Sequence, residues 1–455
     1  MKKNTITHGF ALLLIALIGL SACSKDWLEV KRELSIVVPT TLKDMRWLLN
    51  NNSVFGVDHI GAMIGSEDTY YLTQQDYNNA ALVVRDVYTW ERDVFRGIVD
   101  PEEWNGSYKQ IFYANTILEG LERIAVNERN EMEWRDIKGS ALFFRAKAFF
   151  NLAQLFAVPY AELNDETPGI PLKFSSNVDD VTIRASLVQT YEQIISDFKQ
   201  SASLLKGQPI RKTDASKAAA YGLLARCYAA MDNYTNALLY ADSCLAYNTT
   251  QMVYERLDVT QRYPFAAMND EVIFQSKASP QYVGNTALRI DTLLYGQYDD
   301  EDRRKELFFQ RNNDGSLGFR GSYYGDFNLF SGIAVDEMLL TKAECLVRTD
   351  RIEEAQAVLN TFLENKYRNG TFVPIVMNDR DSALLFVLAE RQKQLLLRGL
   401  RWQDLRRLNK DVKTQSTLRR VVGDQQYTLP PNDARYTFPI PTKIIELTGI
   451  EQNKR

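Results

Sequence analysis

Histidine is very scarce in this chain of 455 residues, which contains only His8 and His59. His8 lies in an N-terminal segment that we expect to be removed, so one histidine remains in the mature protein. Ser-His-Asp catalysis, Cys-His catalysis and histidine-rich zinc sites all need imidazole groups at defined positions. The scarcity of histidine therefore disfavours these classes of enzyme and metal site.

Cysteine, basic runs and long apolar segments are also few. Beyond residue 23 the cysteines are Cys227, Cys244 and Cys345, each in an apolar helical pattern. One disulfide with a leftover thiol is compatible with this count, but apolar surroundings favour buried, unpaired thiols. The net charge is −4 and no basic tract is present, which argues against binding nucleic acid or a membrane surface electrostatically. No run after the N-terminus is apolar and long enough to span a bilayer.

The N-terminus has the pattern of a bacterial lipoprotein signal. Two lysines precede the apolar run Gly9–Leu20, which is long enough for translocation but too short to span a bilayer. A Leu-Ser-Ala-Cys sequence ending at Cys23 then matches a lipobox, in which the thiol is lipidated. We therefore predict a signal peptide over residues 1–22, lipid attachment at Cys23, and a single mature domain over residues 23–455.

What the sequence does contain is a globular composition with helical periodicity. It is 45% hydrophobic and 25% charged, as in folded domains. Apolar residues at helical spacing predict hairpins over about 104–157, 187–248 and 336–408. Two segments, about 50–95 and 255–332, lack this period. The predicted fold class is mostly α, with tetratricopeptide-like helical hairpins and an irregular insert containing a few short strands.

Two helical pairs fit the frame of a tetratricopeptide repeat. Small residues occupy the positions where antiparallel helices approach closely, namely Ala225 and Ala237 in one pair and Ala343 and Ala355 in the other. The two copies are far apart in the chain. We therefore predict a helical scaffold that an insert interrupts, not a regular solenoid.

Several local elements are predicted from caps, periodicity and turns. Residues 42–49 have helical spacing behind a threonine cap, and residues 50–90 are interpreted as a long ordered surface segment. The remaining predictions are a strand at 271–275, a short helix at 299–309, strands or a hairpin within 319–330 and one helix over 390–408.

Several short motifs follow the lipobox along the chain. They are Gly169-Ile170-Pro171-Leu172, Arg184-Ala185-Ser186, Ser216-Lys217-Ala218-Ala219-Ala220, the helix residues Glu390-Arg391, Leu395, Gly399, Arg401, Asp404-Leu405 and Arg407, and Phe438-Pro439-Ile440-Pro441 with Gln452-Asn453. With them the chain resembles the SusD/RagB family of outer-membrane nutrient-binding lipoproteins of Bacteroidetes. Gln394 and Arg398 replace two family glutamates, which predicts that an ion pair of this helix is absent or reversed.

The resemblance implies a fold and a role that periodicity does not reveal. The fold would have four tetratricopeptide-like hairpins supporting an irregular ligand-binding face. The protein would be lipid-anchored on the cell surface, with a SusC-like TonB-dependent outer-membrane transporter as its partner. It would bind an oligosaccharide or, in some branches, a peptide, with no catalysis, no cofactor, no metal and no nucleic acid.

Candidate ligand-binding residues come from chemistry and location, because no family motif identifies them. Sugar binding needs flat aromatic surfaces beside groups that hydrogen-bond hydroxyls. Two irregular stretches supply both: Asp68, Tyr70, Tyr71, Trp90, Arg320, Tyr323, Tyr324 and Asp326. For any single aromatic residue, packing in the core beneath a long loop is the commoner role.

Two other classes of function stay open at this point. One is a surface glycoside hydrolase or other hydrolase, because 58 acidic residues offer many carboxylate pairs. The other is a tetratricopeptide-type adaptor lipoprotein in envelope assembly. The acidic run Asp299–Asp302 lacks the spacing and glycine of an EF-hand and is interpreted as a solvated helix start.

Overall fold

The first described helix begins where the sequence predicts it. Helix α1, Leu42–Leu49, starts at a capping box in which the Thr41 hydroxyl accepts a hydrogen bond from the Asp44 amide at 3.2 Å. The computed structural model describes residues 39–160, 166–181, 183–279 and 288–455. Cys23 and the predicted signal peptide lie outside the described residues, and the predicted domain bounds 23–455 stay a prediction.

Helices are the main secondary structure and pack as hairpins, which confirms the predicted fold class. Residues 40–455 form one compact unit, and the hairpin helices are α6 Glu102–Glu122, α7 Glu131–Phe156, α8 Leu187–Leu204, α9 Lys217–Ala230, α10 Tyr234–Leu245, α13 Val335–Arg348, α14 Ile352–Glu364, α15 Arg380–Gln394 and α16 Leu400–Leu408. Helix α7 is central, since every residue from Gly139 to Phe156 is buried. It packs against α1, α6 and α8.

The two predicted repeats share both their packing and their turn. Ala225, Ala237, Ala343 and Ala355 are all completely buried, as close helix approach requires. Asp232 between α9 and α10 and Asp350 between α13 and α14 have φ of 58° and 60°. Aspartate is one of the few residues besides glycine that tolerates this left-handed region. The repeat frame read from the sequence is thus confirmed down to the turn.

Residues 50–90 differ from their prediction as a surface segment. They contain helices α2 Asn52–Phe55, α3 Gly61–Ser66, α4 Gln74–Asn79 and α5 Leu82–Tyr88, and strands β1 Val57–Asp58 and β2 Tyr70–Tyr71. Every residue of α3 is buried because α3 packs against α5 and α16. Short apolar helices separated by polar turns do not show a sustained helical period, which is why the sequence pattern missed them.

The remaining elements are short. The strands are β3 Pro168–Pro171, β4 Arg184–Ser186, β5 Val272–Phe274, β6 Lys277–Ala278, β7 Arg289–Ile290, β8 Phe309–Arg311, β9 Leu317–Phe319, β10 Leu329–Phe330, β11 Ile333–Ala334, β12 Leu418–Val422 and β13 Gln425–Leu429. The order β1-β6-β10 makes a three-stranded sheet, and the others pair as β11-β5, β12-β13, β2-β7, β3-β4 and β8-β9. The helices are α11 Thr292–Gly296, α12 Arg304–Leu307 and α17 Thr442–Thr448. The predicted strand at 271–275 is confirmed as β5, whereas the predicted helix at 299–309 shortens to α12 because β8 begins at Phe309.

The predicted single helix over 390–408 is two helices. Helix α15 ends at Gln394 and α16 begins at Leu400, since Leu397 and Gly399 both have positive φ. A side chain at Gly399 would place its Cβ 2.6 Å from Ile60 Cδ1. The conformation and the close approach together favour glycine there.

An ion pair is present where the two family glutamates are replaced. The Arg398 guanidinium donates to both carboxylate oxygens of Asp336, at 3.0 and 2.9 Å. The Gln394 amide donates to the same carboxylate at 2.9 Å. The cation, Arg398, therefore lies between α15 and α16, and the anion, Asp336, lies on α13.

The cysteines and the helix lengths agree with the sequence analysis. Cys227, Cys244 and Cys345 are buried and free, which confirms the predicted unpaired thiols. Among the helices of the described residues, none combines the length and apolar character that a membrane span needs.

Candidate ligand-binding site

The two irregular segments meet at strand β7. Strand β2 pairs with β7 in antiparallel register, with Tyr70 opposite Ile290 and Tyr71 opposite Arg289. Arg289 forms ion pairs with Asp76 of α4 and, at 2.9 Å, with Asp314. One guanidinium thus joins segment 50–95 to the insert, which places parts of both segments beside each other.

The hairpin β8-β9 forms a wall beside this junction. Its turn contains Asn-Asn-Asp-Gly-Ser, in which Gly315 has a φ of 83° and the Asn312 amide N–H donates to the Ser316 carbonyl at 2.8 Å. The Asp314 carboxylate accepts hydrogen bonds from the Ser316 amide and hydroxyl. These local bonds hold the turn in place without a large apolar core.

A polar groove with two aromatic rings opens between this hairpin and the loop after residue 260. We call it the central groove, with a volume of about 500 Å³. It is lined by Arg262, Tyr263, Arg289, Gln310, Arg311, Asn312, Asn313, Asp314, Phe319 and Arg320. Aromatic rings suit the C–H faces of sugars, and guanidinium and amide groups suit hydroxyl or acidic substituents.

A second groove continues from the first on the other side of Arg289. This amide groove has a volume of about 750 Å³ and shares Arg289 and Asp314 with the central groove. Its other lining residues come from α4 and the residues around it: Thr73, Gln74, Gln75, Asp76, Asn78 and Asn79. Carboxamides both donate and accept hydrogen bonds, so this groove offers partners to a neutral polyhydroxylated ligand.

Two charged side chains at the grooves, Asp314 and Arg320, have defined hydrogen-bond partners. Hydrogen bonds from Ser316 and from Arg289 lower the pKa of Asp314 to about 2. Arg320 is held by three backbone carbonyls, those of Val259, Gln261 and Glu306, at 2.9, 3.0 and 2.6 Å. Burial lowers the pKa of Arg320, but a guanidinium stays protonated at physiological pH.

Three of the predicted aromatic ligand-binding residues lie in the core. Tyr70, Trp90 and Tyr323 are 3%, 1% and 0% exposed. The Tyr70 hydroxyl donates to the Gly65 carbonyl at 2.7 Å, and the Trp90 indole N–H donates to the Ser66 carbonyl at 2.9 Å. Buried rings with satisfied polar ends present no face to a ligand, so the prediction that these three form an exposed surface is wrong.

The other predicted residues are more accessible but are not gathered in one place. Arg320 lines the central groove, and Tyr71 is half-buried opposite Arg289. Asp68 is bound to Arg401 by two hydrogen bonds of 2.7 Å. Asp326 accepts from Asn328, and the ring of half-buried Tyr324 has Lys277 at 5.9 Å. Of these residues, Arg320 lines the central groove and none lines the amide groove.

Several groove residues were not predicted from the sequence. They are Arg262, Tyr263, Arg289, Arg311 and Phe319, which come from a loop and three short strands. The Asn-Asn-Asp-Gly turn is a recognisable hairpin signal and could have indicated the β8-β9 wall. Nothing local indicates that residue 262 faces residue 311, because that proximity depends on tertiary packing.

Another groove of about 610 Å³ lies against α1 and the start of α7. Four of its charged side chains form the ion pairs Arg46–Asp136 and Arg211–Asp214. No aromatic residue is among those that line it. It therefore lacks the aromatic surface expected of a sugar site.

Metal binding has no support in the part of the chain that the structure describes, where no group of three or more His, Cys, Asp or Glu side chains could hold an ion. The acidic run that begins at Asp299 is engaged by cations. Asp300 pairs with Lys305 at 2.6 Å, and buried Asp302 pairs with Arg304 at 2.7 Å.

Comparison with known proteins gives the same family over most of the chain. A family model described as "Starch-binding associating with outer membrane" matches residues 26–229, and a model described as "SusD family" matches residues 335–454. The SusD-like protein P38 of Formosa agariphila is 22% identical, over 93% of this chain and 96% of its own.

Solved structures share the fold. A SusD superfamily protein from Bacteroides thetaiotaomicron superposes with a TM-score of 0.73 at 22% identity, covering 91% of this chain and all of that one (100%). A SusD-like carbohydrate binding protein from Bacteroides vulgatus gives 0.70 at 17% identity, covering 90% and 97%. The two family models, the relative and the shared fold agree with the motifs in the sequence: this chain belongs to the SusD/RagB family.

Proposed function

We propose that this protein binds oligosaccharides in the central groove and the adjoining amide groove. The observation that carries the proposal is the pairing of two half-buried aromatic rings, Tyr263 and Phe319, with amide and guanidinium groups in one open groove. Phe319 is supported from behind by Phe308, with ring centroids 6.1 Å apart. The family description and the carbohydrate-binding relative support the same ligand class.

The wider role we propose is capture at the cell surface and delivery to a SusC-like TonB-dependent transporter. The lipobox at Cys23 supports a lipid anchor, and the family model's description as associating with the outer membrane supports the location. A broad helical scaffold such as α9-α10 and α13-α14 suits a large protein interface.

Binding without catalysis is part of this proposal. Glycoside hydrolysis uses two carboxyl groups, one of which must be a proton donor. The central groove has one carboxylate, Asp314, and hydrogen bonds that stabilise its ionised form lower its pKa to about 2. Such a group is a poor general acid, and Asp76 in the amide groove is paired with the same Arg289.

Removing either aromatic ring should weaken sugar binding with little loss of stability. We expect Tyr263→Ala and Phe319→Ala each to reduce affinity by about 1–2 kcal/mol, since ring stacking of this kind is worth that much. A glycan and peptide array with the purified mature protein would identify the ligand, and calorimetry would measure affinity. Trp47→Ala is the matched control, because Trp47 is 77% exposed and lines neither groove. Binding only to peptides, or unchanged affinity in both groove variants, would contradict the proposal.

Loss of the lipid should release the protein from the membrane. We expect Cys23→Ala to leave the outer-membrane fraction, because the several acyl chains that anchor the protein can no longer attach. Cys227→Ala is the control, since Cys227 is buried and free. Unchanged sedimentation and surface labelling of Cys23→Ala would show that another feature holds the protein at the membrane.

A further inference from the structure

The central groove has an excess of positive charge. Four of its ten lining residues are arginine and one is acidic, although the whole chain has a net charge of −4. The acidic residue, Asp314, is paired with Arg289 at 2.9 Å. Arg289 also pairs with Asp76, so these three residues together leave no positive charge for a ligand.

The other three arginines have no carboxylate partner. Within the residues that the structure describes, no ion pair within 4.0 Å is formed by Arg262, Arg311 or Arg320, whereas most buried arginines of this protein are paired. The undescribed segment 280–287, which precedes β7, contains no acidic residue in its sequence. The three positive charges at the groove are therefore not neutralised by an ion pair. The carboxylate whose charge acts on Arg320, that of Glu306, is itself paired with Arg303 and Arg368.

Arg320 is fixed in position as a binding group would be. Its two terminal nitrogens donate to the carbonyls of Val259, Gln261 and Glu306. Its Nε is buried, and no group in the described parts of the protein accepts a hydrogen bond from it. Arg262 lies with its guanidinium carbon 5.4 Å from the ring centroid of Tyr263, so a charge and an aromatic surface are adjacent.

From this geometry we infer that the central groove selects an acidic oligosaccharide, one whose sugar rings carry carboxylate or sulfate groups. The inference rests on the proposed function, since it names the class of sugar bound there. Guanidinium groups match the oxygens of carboxylate and sulfate and bind them through charge-assisted hydrogen bonds. A neutral sugar of the same shape gains none of these contacts and partly desolvates three cations, so it is discriminated against. The neighbouring amide groove serves the uncharged hydroxyls.

The test uses oligosaccharides that differ only in charge. The purified mature protein is first screened on an array of neutral and acidic glycans. Calorimetry then compares two matched pairs: oligogalacturonate with its methyl ester, and a sulfated galactan oligosaccharide with its desulfated form. We expect the acidic member of at least one pair to bind, the neutral member to bind at least tenfold more weakly, and the affinity to fall with added salt because salt screens the charges. The pair that responds identifies carboxylate or sulfate as the recognised group.

Arginine variants test whether the selectivity for acidic oligosaccharides comes from the central groove. Arg262→Gln and Arg311→Gln are each expected to lower affinity for the acidic ligand about tenfold, the loss of a charge-assisted contact. Both residues are exposed, so melting temperature should hardly change. Arg419→Gln, an exposed arginine on β12 outside the groove, is the control and should bind normally.

Two results would overturn the inference. The first leaves the proposed function intact, whereas the second overturns it as well. If the array and calorimetry show equal or tighter binding of neutral glycans, with affinity unchanged in both arginine variants, the inference fails and the proposed function stands. If no glycan of either charge binds, the proposed function fails together with the inference.

Discussion

Replacing Arg398 by methionine is expected to lower the free energy of unfolding by about 3–5 kcal/mol, because it leaves a buried carboxylate without its counter-ion. The Asp336 side chain is 0% exposed. Its other partners are neutral donors, including the Gln394 amide at 2.9 Å and the Glu337 backbone N–H at 2.7 Å. Arg398 also packs over the Tyr323 ring at 4.3 Å, so methionine keeps some packing but no charge. Chemical denaturation measures the loss.

An exposed ion pair of similar length provides the control. Arg351 and Glu354 are 2.6 Å apart, but their side chains are 48% and 58% exposed. Arg351→Met should therefore hardly change the free energy of unfolding, since water competes for both charges. Equal losses from Arg351→Met and Arg398→Met would contradict the assignment of a buried, structurally important pair.

The double variant and its pH dependence separate charge from packing. Arg398→Met combined with Asp336→Leu should recover part of the stability, because no unpaired charge remains. Burial alone would raise the pKa of Asp336, but the charge and hydrogen bonds of Arg398, the Gln394 hydrogen bond and the charge of Lys366 together lower it. The stability that ionised Asp336 contributes is thus present at neutral pH and is lost as pH falls below about 4, through the folded-state pKa. The difference in the free energy of unfolding between the wild type and the double variant should therefore become smaller as pH falls below about 4.

Much of the helical scaffold could be predicted because its signals are local. The threonine cap before Leu42 and the capping box at Ser186 each act within one turn of chain, and the alanines of each repeat-like pair are only twelve residues apart. The break at Gly399 was missed, since an isolated glycine in a helical pattern does not reveal its positive φ or its closeness to Ile60.

The candidate site could hardly be predicted, because it is assembled from short pieces that are distant in sequence. Arg289 joins Asp76 to Asp314, and the central groove combines a loop near 262 with the β8-β9 hairpin. Aromatic density in the irregular segments pointed to the two segments that line the grooves, but mostly to residues that are buried. Tyr70 and Trp90 belong to the same irregular segment as residues of the amide groove, and yet both are buried in the core.

Tyr323 is the clearest case of a predicted ligand-binding ring that lies in the core. Its truncation should lower the stability of the protein. The ring is fully buried, with centroids 5.0 Å from Phe265 and 6.0 Å from Phe330. Its hydroxyl donates to the Glu271 carboxylate at 2.7 Å. Tyr323→Ala opens a cavity and removes a donor from a buried charge, so we expect a loss of about 3–5 kcal/mol in the free energy of unfolding.

Two further variants separate the contributions of the hydroxyl and of burial to the loss of stability in Tyr323→Ala. Tyr323→Phe keeps the ring and removes only the hydroxyl, for which about 1–3 kcal/mol is expected. Tyr324→Ala truncates the adjacent, half-buried tyrosine and should cost about 1 kcal/mol, as for other partly exposed positions. Sugar affinity of Tyr323→Ala, measured where the variant is still folded, should equal that of the wild type, because the ring lies beneath the surface and lines neither groove. A Tyr323→Ala protein with an unchanged melting curve and lost sugar binding would instead place this ring in the ligand site.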